Sequence, residues 1–465
     1  MIRTLPALLL LPFAASAQSP AWPAVNAETL KHFSAVVQMD TQDPPGNETK
    51  VVDYVKKVLE AEGIPVIVSA KESARANLIA RLKGNGSKRP LLIMGHTDTV
   101  KVDPAKWKFG PFSAARDGGY IYGRGTIDDK DNMTAGMMTM ILLKRLKVPL
   151  DRDVIFVAEA GEEAATSMGI AHLVDQNWAD IQAEICLAEG GGVVRRAGEV
   201  RYALIQTVEK LPRGAELVAH GVSGHGSRPL RTNPILHLSR AVEKISMWDP
   251  PMRFSDTTRY YFEKLAGVSS PELAARYNAL FDPAKSAAAR EYLAENEPGH
   301  YSMLHTSISP NMISGGYQTN VIPSEAHATL DIRALPDEDM TKFYEMMRQV
   351  IDDPSVEIVP NTRNSRPIAP ASRIDGETFR IIEAANRKVY NTISIPQMST
   401  GATDMAYLRA KGVQCYGIGP MTDEEDGPKG FGAHSDQERI PEEGLYKFVQ
   451  FNWEVATALA GSVKR

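Results

Sequence analysis

The chain has 465 residues, 43% of them hydrophobic and 23% charged, with a formal net charge of −5. That length exceeds one ordinary core and calls for two domains, and the composition excludes a disordered polypeptide. The basic residues are not clustered, which excludes nucleic acid as a partner, because phosphate binding needs a concentrated basic face.

The chain opens MIRTLPALLLLPFAASAQSP. Arg3, the apolar run from Leu5 to Phe13 and the small residues Ala15-Ser16-Ala17 form a secretory signal pattern, with cleavage expected before Gln18. The apolar run is too short to span a bilayer. Residues 1–17 are therefore expected to be removed. The mature protein is expected to be exported, periplasmic or secreted, with no membrane association. A helix is predicted from about Asn26 to Met39 and an amphipathic one from Thr49 to Glu62. ANLIARLKG, PLLIMGHTDTV, GGYIYGRGT, RDVIFVAEAGEE and EICLAEGGG read as strands, and Asn132 to Leu146 as a buried, Met-rich helix. Alternating strands and helices predict an α/β domain with a mainly parallel sheet and helices on both faces.

The pattern changes near Gln206. GAELVAHGVSG and EAHATLDIRALP alternate apolar and polar positions, as half-buried antiparallel strands do. A helix (Pro234 to Ile245) and a long polar, aromatic stretch (Trp248 to about His305) lie between them. The helix MTKFYEMMRQVI and the strand VEIVP follow. Residues 208–360 read as a smaller α+β domain inserted into a first domain made of 18–207 and 361–465. Cys186 and Cys415 sit in apolar strand-like runs; export permits a disulfide, burial suits free thiols, and both readings stay open.

Five metal-type ligands follow strand-like segments: His96, Asp128, Glu163, Glu189 and His434. Two imidazoles and three carboxylates suit Zn²⁺ and also Mn²⁺ or Co²⁺. Asp98 lies two residues beyond His96 on the same face, placed to take its second ring N–H. Asp128 follows Gly123 and Gly125, which permit a tight turn, and its two oxygens suit it to bridge two cations; Asp129 is its rival. Glu162, beside Glu163, offers a carboxylate that can move a proton. Taken singly, each is equally readable as a structural or surface residue. Their order and shared position point to metal-assisted hydrolysis.

The chain resembles the dizinc metallopeptidase family of aminoacylases, glutamate carboxypeptidase, carboxypeptidase S, acetylornithine deacetylase and succinyl-diaminopimelate desuccinylase. The matching segments are GHTDTV, GRGTIDDKD, GEE, Glu189, SGHGSRP, GGYQTNVIP with DIRALP, TGATD and HSDQERIP. The long stretch before His305 and the GRGxxDDK form are most similar to the carboxypeptidase S and N-acyl amino acid hydrolase branch. The resemblance implies two divalent metal ions, one on His96 and Glu189, the other on Glu163 and His434, with Asp128 bridging. It implies Glu162 as general base and then acid. It implies that His225, in an inserted lid and dimerisation domain, reaches across a homodimer to polarise the scissile carbonyl. Asn320 and Arg333 would bind substrate, and Gly401 and Thr403 would line its pocket. Asp131 stands where many members have Gly, and Gly161 where Asp is common.

The expected activity is hydrolysis of an amide next to a residue with a free α-carboxylate. That makes the chain a carboxypeptidase, a dipeptidase or an N-acyl amino acid hydrolase, acting on small peptides or N-acyl amino acids. Arg333 offers the planar fork such a carboxylate needs. The alternatives are a one-metal carboxypeptidase and a non-catalytic exported peptide-binding protein that kept the fold.

Overall fold

A computed structural model of the protein describes residues 19–361 and 365–462. The expected signal segment, 1–17, lies outside the described residues. Among these, no helix is long and apolar enough to cross a membrane.

A ten-stranded sheet forms the large domain. At its centre Leu91–His96 runs parallel to both Val154–Glu159 and Ile185–Ala188, and Gln414–Gly417 runs parallel to Ile185–Ala188. One edge is antiparallel, and the other mixes the antiparallel pair Gly192–Arg196 and Glu199–Glu209 with the parallel strands Met421–Asp423 and Ser394–Ser399. The central strands are buried along their whole length, as strands covered on both faces must be. One face carries the helices Lys130–Arg145 and Glu442–Ala460, which pack on each other. The other carries Ile170–Gln176 and Met405–Ala410. Every residue from Lys130 to Leu143 is buried, which explains the apolar, Met-rich sequence of that helix. Gly95 allows its close approach. A Cβ there would stand 2.6 Å from the backbone nitrogen of Met133. The start of the helix is thus pressed against the end of the strand that carries His96.

Cys186 and Cys415 face each other in register on neighbouring parallel strands, both buried and both free.

A second sheet of five antiparallel strands contains Ala215–His220, Glu325–Ala334 and Val356–Pro360. The helices Pro234–Met247 and Met340–Ile351 bury their apolar faces against it. The polar stretch after Trp248 folds into four helices, Asp256–Val268, Pro271–Ala279, Ser286–Asn296 and Pro298–Ser302. Tyr261, Phe262 and Leu265 of the first pack with Val208, Ile395 and Met398 from the large sheet. These helices therefore pack on the large sheet.

Candidate metal centre

The parallel strands bring the five candidate ligands to one edge of the sheet, beyond the strands' carboxyl ends. His96 closes its strand and is 1% exposed. Its Nε2 lies 3.0 Å from one oxygen of Asp128. His434 Nε2 lies 3.0 Å from the other oxygen of Asp128 and 3.0 Å from Glu163 Oε1. Ligand atoms of His96, Asp128 and Glu189 all lie within 4.8 Å of one another, and so do those of Asp128, Glu163 and His434. The two triads share only Asp128. Its rival Asp129 turns the other way and accepts the backbone N–H of His96 at 3.1 Å and the Asn132 side-chain amide at 2.6 Å.

Asp98 is fully buried and acts as a brace. His96 Nδ1 lies 3.1 Å from the Asp98 backbone carbonyl and 3.4 Å from one carboxylate oxygen. The same carboxylate accepts the backbone N–H groups of Glu162 and Glu163 at 3.1 and 3.0 Å. One side chain thus orients a ring and fixes the loop that carries the adjacent glutamates. The His434 loop is held similarly. Arg124 donates to Glu438 at 2.6 Å and to the Ser435 carbonyl at 2.9 Å, and Glu438 accepts the Ile127 N–H at 2.9 Å. This ties 432–438 to the Asp128 turn. His434 itself takes a left-handed φ of +61°, uncommon for a residue with a Cβ.

The donors and charges fit a pair of divalent cations. Burial, then the nearby carboxylate of Glu162, push Glu189 well above the usual carboxyl range against the opposing charge of His96. Burial raises Glu163 as well, with Asp128 adding to the effect. Hydrogen bonds to Asp128 and then Glu163 raise His434 to about 10. Burial disfavours charge on His96, yet Asp128 and Asp98 hold its pKa well above 6.5. Against burial, hydrogen bonds from His434 and then His96 hold Asp128 below the usual carboxyl range. Three carboxylates gathered around two imidazoles are a donor set that divalent cations suit.

Glu162 stands beside the triads. Its Oε1 meets Arg366 Nη2 at 3.0 Å, and Arg366 in turn lies 3.4 Å from Asp404. Burial and then Asp404 push Glu162 well above the ordinary carboxyl value. A cavity of about 630 Å³ opens here, lined by Glu162, Glu163, His434, Arg333, Arg366 and Gly401. Arg333 donates from Nε to Asp331 at 2.9 Å, and its terminal nitrogens have no acceptor among the described residues.

The remaining candidates are placed differently. Thr403 lies outside that lining. Its hydroxyl and backbone N–H both go to buried Glu209, at 2.7 and 2.9 Å. His225 and Asn320 are exposed on a small ribbon where Gly224–His225 pairs with Val321–Ile322. His225 Nδ1 meets the Ser227 hydroxyl at 2.8 Å, and neither His225 nor Asn320 lines the cavity. Asp131 is buried with both carboxylate oxygens unpartnered. Sequence reasoning missed Arg124, Arg366, Asp404 and Glu438. Three of these lie in the quoted motifs; Arg366 carries no signal of its own.

A family model described as peptidase family M20/M25/M40 matches residues 92–457. The chain belongs to this family. It is an enzyme of the metallopeptidase and amidohydrolase type. It is 26% identical over 454 residues to the N-fatty-acyl-amino acid synthase/hydrolase PM20D1 of Homo sapiens, covering 92% of this chain and 86% of that one. Among solved structures, an M20 family metallo-carboxypeptidase from Sulfolobus solfataricus superposes with a TM-score of 0.69 at 21% identity. It covers 92% of this chain and 98% of its own. The Bacillus subtilis YXEP protein, a dinuclear metal-binding peptidase of the family, gives a TM-score of 0.61 at 14% identity, covering 94% and 99%. These likenesses establish the M20 fold.

Proposed function

We propose that this chain is an exported dimetal amidohydrolase. It cleaves the amide bond next to a residue bearing a free α-carboxylate, in small peptides or N-acyl amino acids. The observation that carries this reading is a single cavity lined by Glu162, by one ligand triad's Glu163 and His434, and by an Arg333 guanidinium with free terminal nitrogens.

His96 and Glu189 would hold one ion and Glu163 and His434 the other, with Asp128 shared. Zn²⁺ suits the donor set, and Co²⁺ or Mn²⁺ is accepted by it. Such a pair supplies Lewis acidity, lowering the pKa of a water and polarising an amide carbonyl. Glu162 takes the proton of the attacking water, whose oxygen adds to the amide carbon. The C–N bond then breaks, and Glu162 returns the proton to the departing amine. Arg333 binds the α-carboxylate of the departing residue through two parallel hydrogen bonds. Gly401 borders that residue, and Thr403, held by Glu209, sets the loop that carries Gly401. Asn320 and His225 would be supplied by a second copy of the chain, His225 donating to the carbonyl oxygen as charge develops there.

A homodimer through the inserted domain is supported by its exposed apolar side chains. Val222, Ile235, Met312, Ile313 and Tyr317 are all open to solvent. The N-terminal segment MIRTLPALLLLPFAASA supports export. The reading is tested with metal-replete protein on dipeptides and N-acyl amino acids, each paired with its α-amidated counterpart. Free acids are expected to be cleaved and amidated forms spared; equal rates on both would reject it.

A further inference from the structure

A third cluster of acidic side chains lies behind the metal edge. Carboxylate oxygens of Asp43, Glu48 and Asp98 all lie within 4.8 Å of one another. The three residues are buried, and Arg75 among them is 5% exposed. The Arg75 guanidinium supplies the positive charge. Its Nε donates to both oxygens of Glu48, at 3.0 and 2.8 Å. Its Nη2 donates to Asp43 at 2.7 Å and to Glu48 at 2.6 Å. One planar fork thus matches two carboxylates at once, and the third, Asp98, is left to brace His96 and the loop of Glu162.

Arg75 also joins the two chain segments that meet at Asp98. On one side, Asp43 donates its backbone N–H to the Thr99 carbonyl at 2.8 Å. The Thr41 hydroxyl donates to the Thr97 carbonyl at 2.6 Å. The segment that carries Asp43 is therefore laid along residues 97–99, directly after His96. On the other side, the guanidinium packs against Gly161, where a Cβ would stand 3.2 Å from Nη2. Gly161 has a φ of +70° and leads into Glu162 and Glu163, whose N–H groups Asp98 accepts.

We propose that Arg75 is a positioning residue for the hydrolytic reaction, keeping Asp98 turned toward His96 and toward the loop of Glu162. The roles of His96 and Glu162 in that reaction rest on the amidohydrolase reading. The physical argument is charge in a dry, crowded place. Carboxylates this close repel strongly where water does not screen them. With Asp43 and Glu48 both matched, Asp98 feels little of that repulsion and holds its place. A lysine carries the same charge as a point, without the fork that meets two carboxylates. One of the two would then press on Asp98 and loosen its hold.

The test is Zn²⁺ titration against a chromogenic chelator, melting temperature and steady-state kinetics, all on the full-length chain. In Arg75→Lys, at least one Zn²⁺ affinity is expected to fall about 10–100-fold, the usual cost of disturbing the outer partners of a metal site. The kcat per folded, Zn²⁺-loaded chain is expected to fall by a similar factor, with KM little changed. The double variant Arg75→Lys, Asp43→Asn removes the unmatched carboxylate and is expected to regain most of both losses. Arg75→Gln, with no charge, is expected to lose at least as much as Arg75→Lys and serves in its place if that variant fails to fold. A lowered melting temperature with parental Zn²⁺ affinities and parental kcat per loaded chain would make Arg75 a structural residue only and overturn the proposal. So would a double variant as impaired as Arg75→Lys alone. If the parent cleaves free-acid amides and Arg75→Lys matches it, the amidohydrolase reading stands and the positioning role falls. If the parent cleaves none, that reading falls, and the Zn²⁺ titration still decides whether Arg75 steadies the His96 edge.

Discussion

At the carboxyl edge of the large sheet, His96, Asp98 and Asp129 are buried and braced by one another and by backbone N–H groups. On the ribbon of the inserted domain, His225 and Asn320 stand in solvent, and the His225 ring meets the neighbouring Ser227. The first region is finished chemistry: geometry set by strands whose ends converge, then locked by carboxylates such as Asp98 and Glu438. On the proposed function the second is half of an arrangement. An exposed imidazole donates nothing to catalysis until something carries it to the reacting carbonyl. On the proposed function the two domains have different tasks, one holding charge fixed and the other completing the site on assembly.

The sharpest way to break this contrast is at Glu162. Glu162→Gln keeps the shape and the Arg366 contact but removes the proton acceptor. Turnover is expected to fall by about 10³–10⁴-fold, with metal content equal to that of the parent by elemental analysis. Loss of metal together with activity would move Glu162 into the ligand set and out of the proton-transfer role.

The inserted domain is tested next. His225→Ala is expected to lower kcat by about 10²-fold or more, the usual cost of one oxyanion donor, while leaving metal content and folding intact. If the imidazole comes from a second copy, a mixture of His225→Ala and Glu162→Ala chains regains activity after subunit exchange, since one of its two composite sites is whole. A mixture as inactive as its components would place His225 outside any shared site.

The same division explains what the sequence could reveal. His96, Glu163 and Glu189 were legible because a parallel sheet places its chemistry just past its strands, and the apolar runs before them mark those strands plainly. The helix Met340–Ile351 was legible for a similar reason, an apolar stripe at helical spacing. The four helices between Asp256 and Ser302 were not. Their apolar faces pack on partners far away in sequence, Val208, Ile395 and Met398, so local periodicity is weak. Arg366 was invisible for the complementary reason. Its meaning lies in Glu162 and Asp404, and no local pattern announces either partner.

Arg333 sharpens the comparison, because it projects from the inserted domain's sheet yet lines the metal-side cavity. Arg333→Ala is expected to raise KM for free-acid substrates by about 10–100-fold, the loss of one charge-assisted bidentate contact, with little change for amidated analogues. Equal losses on both would mean that the guanidinium supports Asp331 and the fold rather than the substrate.

The smallest effect concerns His305, which follows those helices, and is read in stability. His305 is buried against the Tyr301 ring, and burial, with Lys210 and Arg290 adding repulsion, lowers its pKa to about 4. The folded state therefore binds fewer protons than the unfolded one between about pH 4 and pH 6.5. Stability from this residue is fully present above about pH 6.5 and is lost as the pH falls toward 4. At about 1.4 kcal/mol per pH unit the loss reaches at most about 3–4 kcal/mol. His305→Phe keeps the ring and removes the titration, so the melting temperature of this variant should fall less steeply than the parent's over that interval. Parallel curves for the two proteins would show that His305 titrates alike in the folded and unfolded states and contributes nothing to acid sensitivity.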